Sequence, residues 1–409
     1  MHRPRLYHRP TEDSSGRREE DSRTGRGPGV RALEIAFWIL LASAVYSLVI
    51  YPALIIVLSR FLSRRFVREP IRPTVSLIIS AFNEEAVIGA KLENSLALDY
   101  PRDRREIIVA SDGSTDGTDD IVLGFADQGV RLLRVEGGMG KSALTNHAAA
   151  AASGEILVFS DAAGMWSTNA LATMVAAFAD PRVGCVSGRV GYRHDDSLMS
   201  RGFAVYQRYV LVLRRAEAAF ASGFNASGSI HAVRKAVFRP CPLDTFTDMA
   251  DPLHAAMQGY RTTFEEEAVS MEESRSSVPD EFSARLRIAL GSWRFLAYSL
   301  PRLPLLRSPM YCFQAFSHKF LRWCVGPSLP LLLVLNIALL NRHLVYRWML
   351  AGQATYYGLT VLGLLLGRLG RPLSGLSGLV FFNLTNLAYL TSFLRYLRGE
   401  RIRRWVPSR

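Results

Sequence analysis

The chain has 409 residues, 49% of them hydrophobic and 21% charged, with a net charge of +13 at pH 7. This is too long for one ordinary core, too apolar for a wholly soluble protein and too charged to lie entirely in lipid, so soluble and membrane segments are expected to be segregated along the sequence. The arginines crowd beside apolar runs, which assigns the positive charge to anionic lipid headgroups in preference to nucleic acid, and the scattered Cys185, Cys241, Cys312 and Cys324 form no zinc-like or disulfide-like pattern.

Residues 1–33 are rich in Arg, Glu, Asp, Ser and Gly and read as a disordered basic tail. Ile35 to Leu58 carries no charge and is long enough to cross a hydrocarbon core of about 30 Å at about 1.5 Å per residue. A transmembrane helix is expected over 34–59; the run is too long and starts too late for a signal peptide. Uncharged runs recur at 324–340, 348–367 and 372–394, predicting three more spans within 323–395. The segment 276–322 precedes them. Its stretch from Trp293 to Trp323 mixes aromatic and basic residues, as helices in the headgroup layer do, and equally suits packing against a domain. A basic tail, 396–409, closes the chain. One span before the middle domain and three after it put both termini opposite that domain. The positive-inside tendency instead draws Arg398, Arg401, Arg403 and Arg404 to the cytosol, a conflict removed only if one run is re-entrant or the count differs.

Within the middle domain, 74–275, the β-branched runs Val75–Ser80, Ile107–Ser111, Val130–Val135 and Ile156–Ser160 alternate with helical stretches such as 84–96 and 141–152. This alternation predicts an open α/β fold with a mostly parallel sheet. Ligands of such sheets bind beyond the carboxyl ends of the strands, where Asp112 and Asp161 fall. Asp112-Gly-Ser-Thr-Asp-Gly-Thr is a polar glycine turn whose aspartate can accept hydrogen bonds from a base or ribose, or can serve simply as turn and helix cap. Gly137-Gly-Met-Gly-Lys-Ser142 imitates a phosphate-binding loop, but Val135 stands where the first glycine is required, which disfavours an ATPase. Lys141, at a helix start, can meet a phosphate as a point charge or remain solvated.

Taken together, Ala81-Phe-Asn-Glu-Glu85, the Asp112 motif, Gly140-Lys141, Asp161-Ala-Ala163 and Thr247-Asp248 with Gly259-Tyr-Arg261 resemble the family 2 glycosyltransferases. The resemblance is to the membrane-bound branch containing cellulose, chitin, hyaluronan and poly-N-acetylglucosamine synthases. It implies a GT-A domain in the cytosol of a protein integral to the cell membrane. Asn83, Glu84 and Asp112 would lie near the nucleotide of a nucleotide-diphosphate sugar, most often UDP-linked. Asp161 would lie near the diphosphate and a divalent metal, Mg²⁺ or Mn²⁺. Asp248 would be the base of an inverting transfer; its residues alone also fit a helix N-cap. Arg285 and Arg287, in a segment resembling Q-x-x-R-W but with Ala284 and Ile288 in place of Gln and Trp, would meet the leaving diphosphate, or lie on a basic interfacial helix. Ala163 occupies the position of a second metal ligand and cannot coordinate. Gly228 and Ser229 resemble the acceptor turn, also readable as a plain turn. His231 and His318, without evident partners, are expected to be structural.

The expected activity is sugar transfer to a growing polysaccharide. Transfer to a lipid acceptor is the first alternative, favoured by the altered 284–288 segment, and a catalytically silent nucleotide-binding membrane protein, suggested by Ala163, is the second.

Overall fold

The structure is a computed structural model that describes residues 28–63, 66–243, 245–275 and 277–400. Most of the expected N-terminal tail, and Arg401, Arg403 and Arg404 of the C-terminal one, lie outside these residues. The first helix begins at Pro28, inside the segment expected to be tail.

Eight strands form one sheet: β1 (Val75–Ala81), β2 (Arg105–Ser111), β3 (Val130–Arg134), β4 (Ile156–Asp161), β5 (Met165–Trp166), β6 (Val183–Arg193), β7 (His231–Arg234) and β8 (Arg261–Glu273), in the order β3-β2-β1-β4-β7-β6-β8-β5. The first four are mutually parallel, as their β-branched runs predict; β7 runs antiparallel to both β4 and β6, so the sheet as a whole is mixed. Every side chain of β1 is buried, because helices cover both faces. Leu77, Ile79, Ile107, Val109 and Val158 face one layer, which contains α2 (Glu85–Leu96) and α5 (Ala170–Ala176). Ile78, Ile108, Leu157 and Phe159 face the other, which contains α4 (Lys141–Ala151). A short helix, α3 (Thr118–Leu123), follows β2.

Beyond the sheet, α6 (Leu198–Phe220), α7 (Thr247–Met257) and α8 (Val278–Ser299) connect the domain to a helical layer. Ser277 caps α8 by accepting from Asp280 N at 3.2 Å, with Pro279 in the first turn where its missing N–H leaves no bond unmade. Among the described residues, four helices are long and apolar enough to cross a membrane: α1 (Pro28–Phe61), α9 (Pro309–Ala338), α10 (Leu344–Arg368) and α11 (Ser374–Leu397). The sequence placed residues up to 322 among headgroup-layer helices, but α9 runs unbroken from Pro309. The polar residues that made this stretch look interfacial, His318, Lys319 and Arg322, point into the protein. His318 Nδ1 lies 2.8 Å from Oε1 of buried Glu217 on α6, and Tyr51 of α1 donates to the same oxygen at 2.6 Å. One carboxylate therefore joins α1, α6 and α9.

Candidate active site

The pairing register sets the site. Ser80 of β1 lies opposite Asp161 of β4 and Ala81 opposite Ser111 of β2, so the β1, β2 and β4 ends are level. Asp112 follows directly at this carboxyl edge, on the strand side where open sheets bind ligands.

Asp112 is 5% exposed, and both its oxygens are engaged by the glycine loop after β3: Met139 N donates to Oδ1 at 2.9 Å and Gly140 N to Oδ2 at 3.0 Å. Its next neighbour, Gly113, has φ +69° and presses so closely on Gly137 that a Cβ would sit 2.5 Å from the Gly137 nitrogen. The intact motif thus shapes the loop that delivers Lys141. Asn83, at φ 53°, accepts from Thr115 N at 2.8 Å, and Glu84 N donates to Thr118 Oγ1 at 2.8 Å, so the Asn83–Glu84 segment is laced to the Asp112 turn.

Lys141 opens α4 and pairs with the Asp161 carboxylate. A Cβ on Gly228 would lie 3.5 Å from Asp248 Oδ2 and 3.6 Å from Lys141 Nζ, so these three residues converge. Asp248 sits within the first turn of α7, whose N-cap is Phe246; the capping alternative is not what the structure shows. Its backbone oxygen accepts from Ala226 N at 2.7 Å, tying the base candidate to the Ala226–Ser229 turn. Burial pushes the Asp248 carboxyl above the usual carboxylate range, with Asp161 adding to the rise and His231, Lys141 and Arg214 opposing it. Ser229 is buried; its carbonyl accepts from Trp166 Nε1 at 3.0 Å.

Lys141, Asp161, Gly228, Ser229 and Asp248 line a chamber of about 620 Å³, whose wall does not include Asn83, Glu84 or Asp112. Among the described residues, nine lysine or arginine side chains and three carboxylates, Asp161, Asp248 and Glu272, face it, a balance suited to an anionic ligand. Arg287 is among the nine, and burial and Arg275 lower its pKa while Asp161 opposes them. Arg285 also lines the chamber, but its Nε donates to Glu281 at 2.6 Å and its guanidinium packs over Phe203, Tyr206 and Phe381. The two arginines are thus unequal: Arg287 faces the Asp161 side, Arg285 is held against α6 and α11. His231 is buried, bonded to Asp251 Oδ2 at 3.1 Å and stacked on Phe159. Both histidines expected to be structural therefore have structural partners.

Four residues of the site went unread in the sequence. Lys91, fully buried, donates to Gly164 O at 2.5 Å and fixes the turn after Asp161; nothing in the helical stretch 84–96 sets it apart. Arg214 donates to Ser227 Oγ at 2.6 Å. Glu272, on β8, is raised in pKa by burial and by Asp161. Arg322 reaches the chamber from α9. No local pattern marks the last three, because each comes from an element distant in sequence.

Among the described residues no group of three His, Cys, Asp or Glu side chains is set to chelate a metal. With Asp161 paired to Lys141 and Ala163 inert, the donor set suits only a cation that takes most of its ligands from substrate phosphates and water, as Mg²⁺ does.

Residues 76–239 match the family model described as glycosyl transferase family 2. The chain carries a family 2 glycosyl transferase domain. Over 121 residues it is 36% identical to a beta-monoglucosyldiacylglycerol synthase of Synechocystis, covering 29% of this chain and 25% of that protein. Over 129 residues it is 28% identical to a poly-beta-1,6-N-acetyl-D-glucosamine synthase of Staphylococcus epidermidis, covering 31% of each. The chain thus spans only about a quarter to a half of the length of the curated relatives it matches. Among solved structures, the mannosyltransferase PcManGT of Pyrobaculum calidifontis, in complex with GDP-Man and Mn²⁺, superposes with a TM-score of 0.68 at 24% identity, over 90% of this chain and all of that one. The family 2 domain is of the GT-A type, and the likeness extends through the helical layer. The family match ends at residue 239, so Asp248, Glu272 and Arg287 lie beyond it.

Proposed function

We propose that the chain is an inverting, membrane-integral transferase that moves a sugar from a nucleoside-diphosphate donor to an acceptor hydroxyl. The observation that carries this reading is the convergence of Asp248 and Lys141 on Gly228, with Lys141 paired to Asp161 at the strand edge. The proton of the acceptor hydroxyl passes to Asp248 as its oxygen bonds to the anomeric carbon. The bond from that carbon to the diphosphate breaks, and the departing negative charge meets Lys141 and Arg287. Asn83, Glu84 and Asp112 shape the nucleotide side, and Gly228 and Ser229 the acceptor side. A Mg²⁺ or Mn²⁺ ion held by Asp161 would neutralise the same diphosphate. In this reading the domain faces the cytosol, and UDP-linked sugars are the first donors to try.

The names of the relatives span glycolipid and polysaccharide products. Polysaccharide extension, the first expectation from the sequence, becomes the second reading here, behind transfer to a lipid acceptor. An apolar cleft that opens from the chamber between α6 and α11 favours an acceptor with a hydrocarbon part. The test is to supply the full-length protein in membranes with a panel of nucleotide sugars and Mg²⁺ or Mn²⁺, then measure nucleotide release and product in lipid and high-mass fractions. Turnover absent above an Asp248→Asn control, with every donor and acceptor extract, would sink the enzyme reading and leave a nucleotide-binding protein.

A further inference from the structure

Beside the chamber lies a second cavity of about 390 Å³, and the two share Tyr206, Arg322, Thr385 and Tyr389. The rest of its wall is almost wholly apolar, from Val205 on α6, Leu379 and Phe382 on α11, and Leu48 on α1. Glycines bring α6 and α11 together, since Gly202 lies against Ser377 and Gly378 against Val205. Val205 is 43% exposed, and the cleft is also walled by α1 and α11, two of the helices long and apolar enough to cross a membrane.

The junction between the two spaces is polar and cationic. Arg322 lies over the rings of Tyr206 and Tyr209, at 5.5 and 5.1 Å, and its Nη1 is buried without a hydrogen-bond partner. Thr385 Oγ1, from α11, is likewise buried and unpartnered, as is Nε of Arg214. Lys319 lies one turn before Arg322 and lines the same chamber. The nearby carboxylate of Glu217 is already engaged by Tyr51 and His318. Crowding three cations, two of them with an unmet donor, in a half-buried place is unfavourable unless an anion joins them.

We propose that this junction binds the phosphate of an amphiphilic acceptor whose hydrocarbon chain lies in the α6–α11 cleft, leaving its hydroxyl-bearing head to reach Asp248. Charge complementarity names the phosphate, and the continuity of the apolar wall with membrane-fit helices names the tail. That this ligand is the acceptor rests on the transferase reading; its binding does not. The class of reaction that supplies it is one that joins a hydroxyl-bearing group to a lipid through a phosphate ester.

The experiment uses the full-length protein in a neutral detergent and measures binding of dodecyl phosphate, dodecanol and inorganic phosphate, with no donor present. Dodecyl phosphate is expected to bind at least about tenfold more tightly than either of the others, the lower end of what a charge-assisted hydrogen bond contributes. Arg322→Gln with Lys319→Gln should abolish the preference over dodecanol, and Asp248→Asn should keep it. Val205→Trp, which fills the cleft without touching the cations, should abolish the preference over inorganic phosphate and carries the test if the charge variant does not fold. Inorganic phosphate binding as tightly as dodecyl phosphate would overturn the tail site, and dodecanol doing so would overturn the phosphate site. Turnover of a neutral acceptor without dodecyl phosphate binding would refute this proposal while leaving the transferase reading intact.

Discussion

Lys141, the first residue of α4, forms an ion pair with Asp161, the last residue of β4, at the carboxyl edge of the sheet. Both side chains are about a quarter to a third exposed, so the pair contributes little to stability and is available to a ligand. Lys141→Met is therefore expected to leave the melting temperature nearly unchanged while weakening nucleoside-diphosphate affinity about 10- to 100-fold, the range of a charge-assisted contact. Calorimetric titration with UDP and GDP checks this. Unchanged affinity for both would remove Lys141 from the donor site.

Asp248 must be ionised to take a proton, and burial raises its pKa. The kcat/KM profile should therefore fall as pH drops through a value above the ordinary carboxylate range of about 4. Asp248→Asn should lose about 10²- to 10⁴-fold in kcat and retain donor binding. An acid limb unchanged in a variant that still turns over would assign the base elsewhere.

The two glycine positions flanking the Lys141 loop separate strain from collision. Gly113 (φ +69°) would drive a Cβ into Gly137, whereas Gly138 (φ +86°) has open space around it. Gly113→Ala should destabilise the protein more than Gly138→Ala, which carries only the backbone term of about 1–3 kcal/mol. Thermal unfolding of the two variants decides it, and equal losses would mean that the Gly113–Gly137 contact is dispensable.

Burial lowers Lys91 from the ordinary 10.5 to about 7, with Asp161 and Glu272 opposing the shift. Between those two values the unfolded chain binds the extra proton. Stability contributed through this group therefore rises with pH from about 7 towards 10 and is flat below 7. Lys91→Met should flatten the rise. Melting curves at several pH values across that window suffice, and parallel slopes for the two proteins would disprove the assignment.

The sequence was most legible where structure is local. Val75–Ala81 and Ile156–Asp161 carry apolar residues at neighbouring positions, as in Leu77–Ile79 and Ile156–Phe159, because both faces of those strands are covered, and that burial is written directly into composition. The edge carrying Asp112 and Asp161 followed from it. Strands β6 and β8 escaped notice because Gly184, Gly188 and Gly191 dilute the first and Glu265–Glu267 the second, and both are set by pairing with each other. The role of Asp112 was only half legible: the motif marked the place, but the bonds from Met139 and Gly140 depend on how the glycine loop folds back. The stretch holding Arg322 suited the headgroup layer and domain packing equally, since linear charge cannot say that a helix turns its cation inward against Tyr206 and Tyr209.

The seam at Glu217 bears on the order in which the chain is made. Its carboxylate is held by Tyr51 from the first helix and by His318 from a helix that emerges after the whole α/β domain. During synthesis one side of this acid stays unmatched until the helix bearing His318 has been made. Docking of that helix, which also brings Lys319, Arg322 and Trp323 to the chamber wall, rather than folding of the α/β domain by itself, is then the step that completes the chamber.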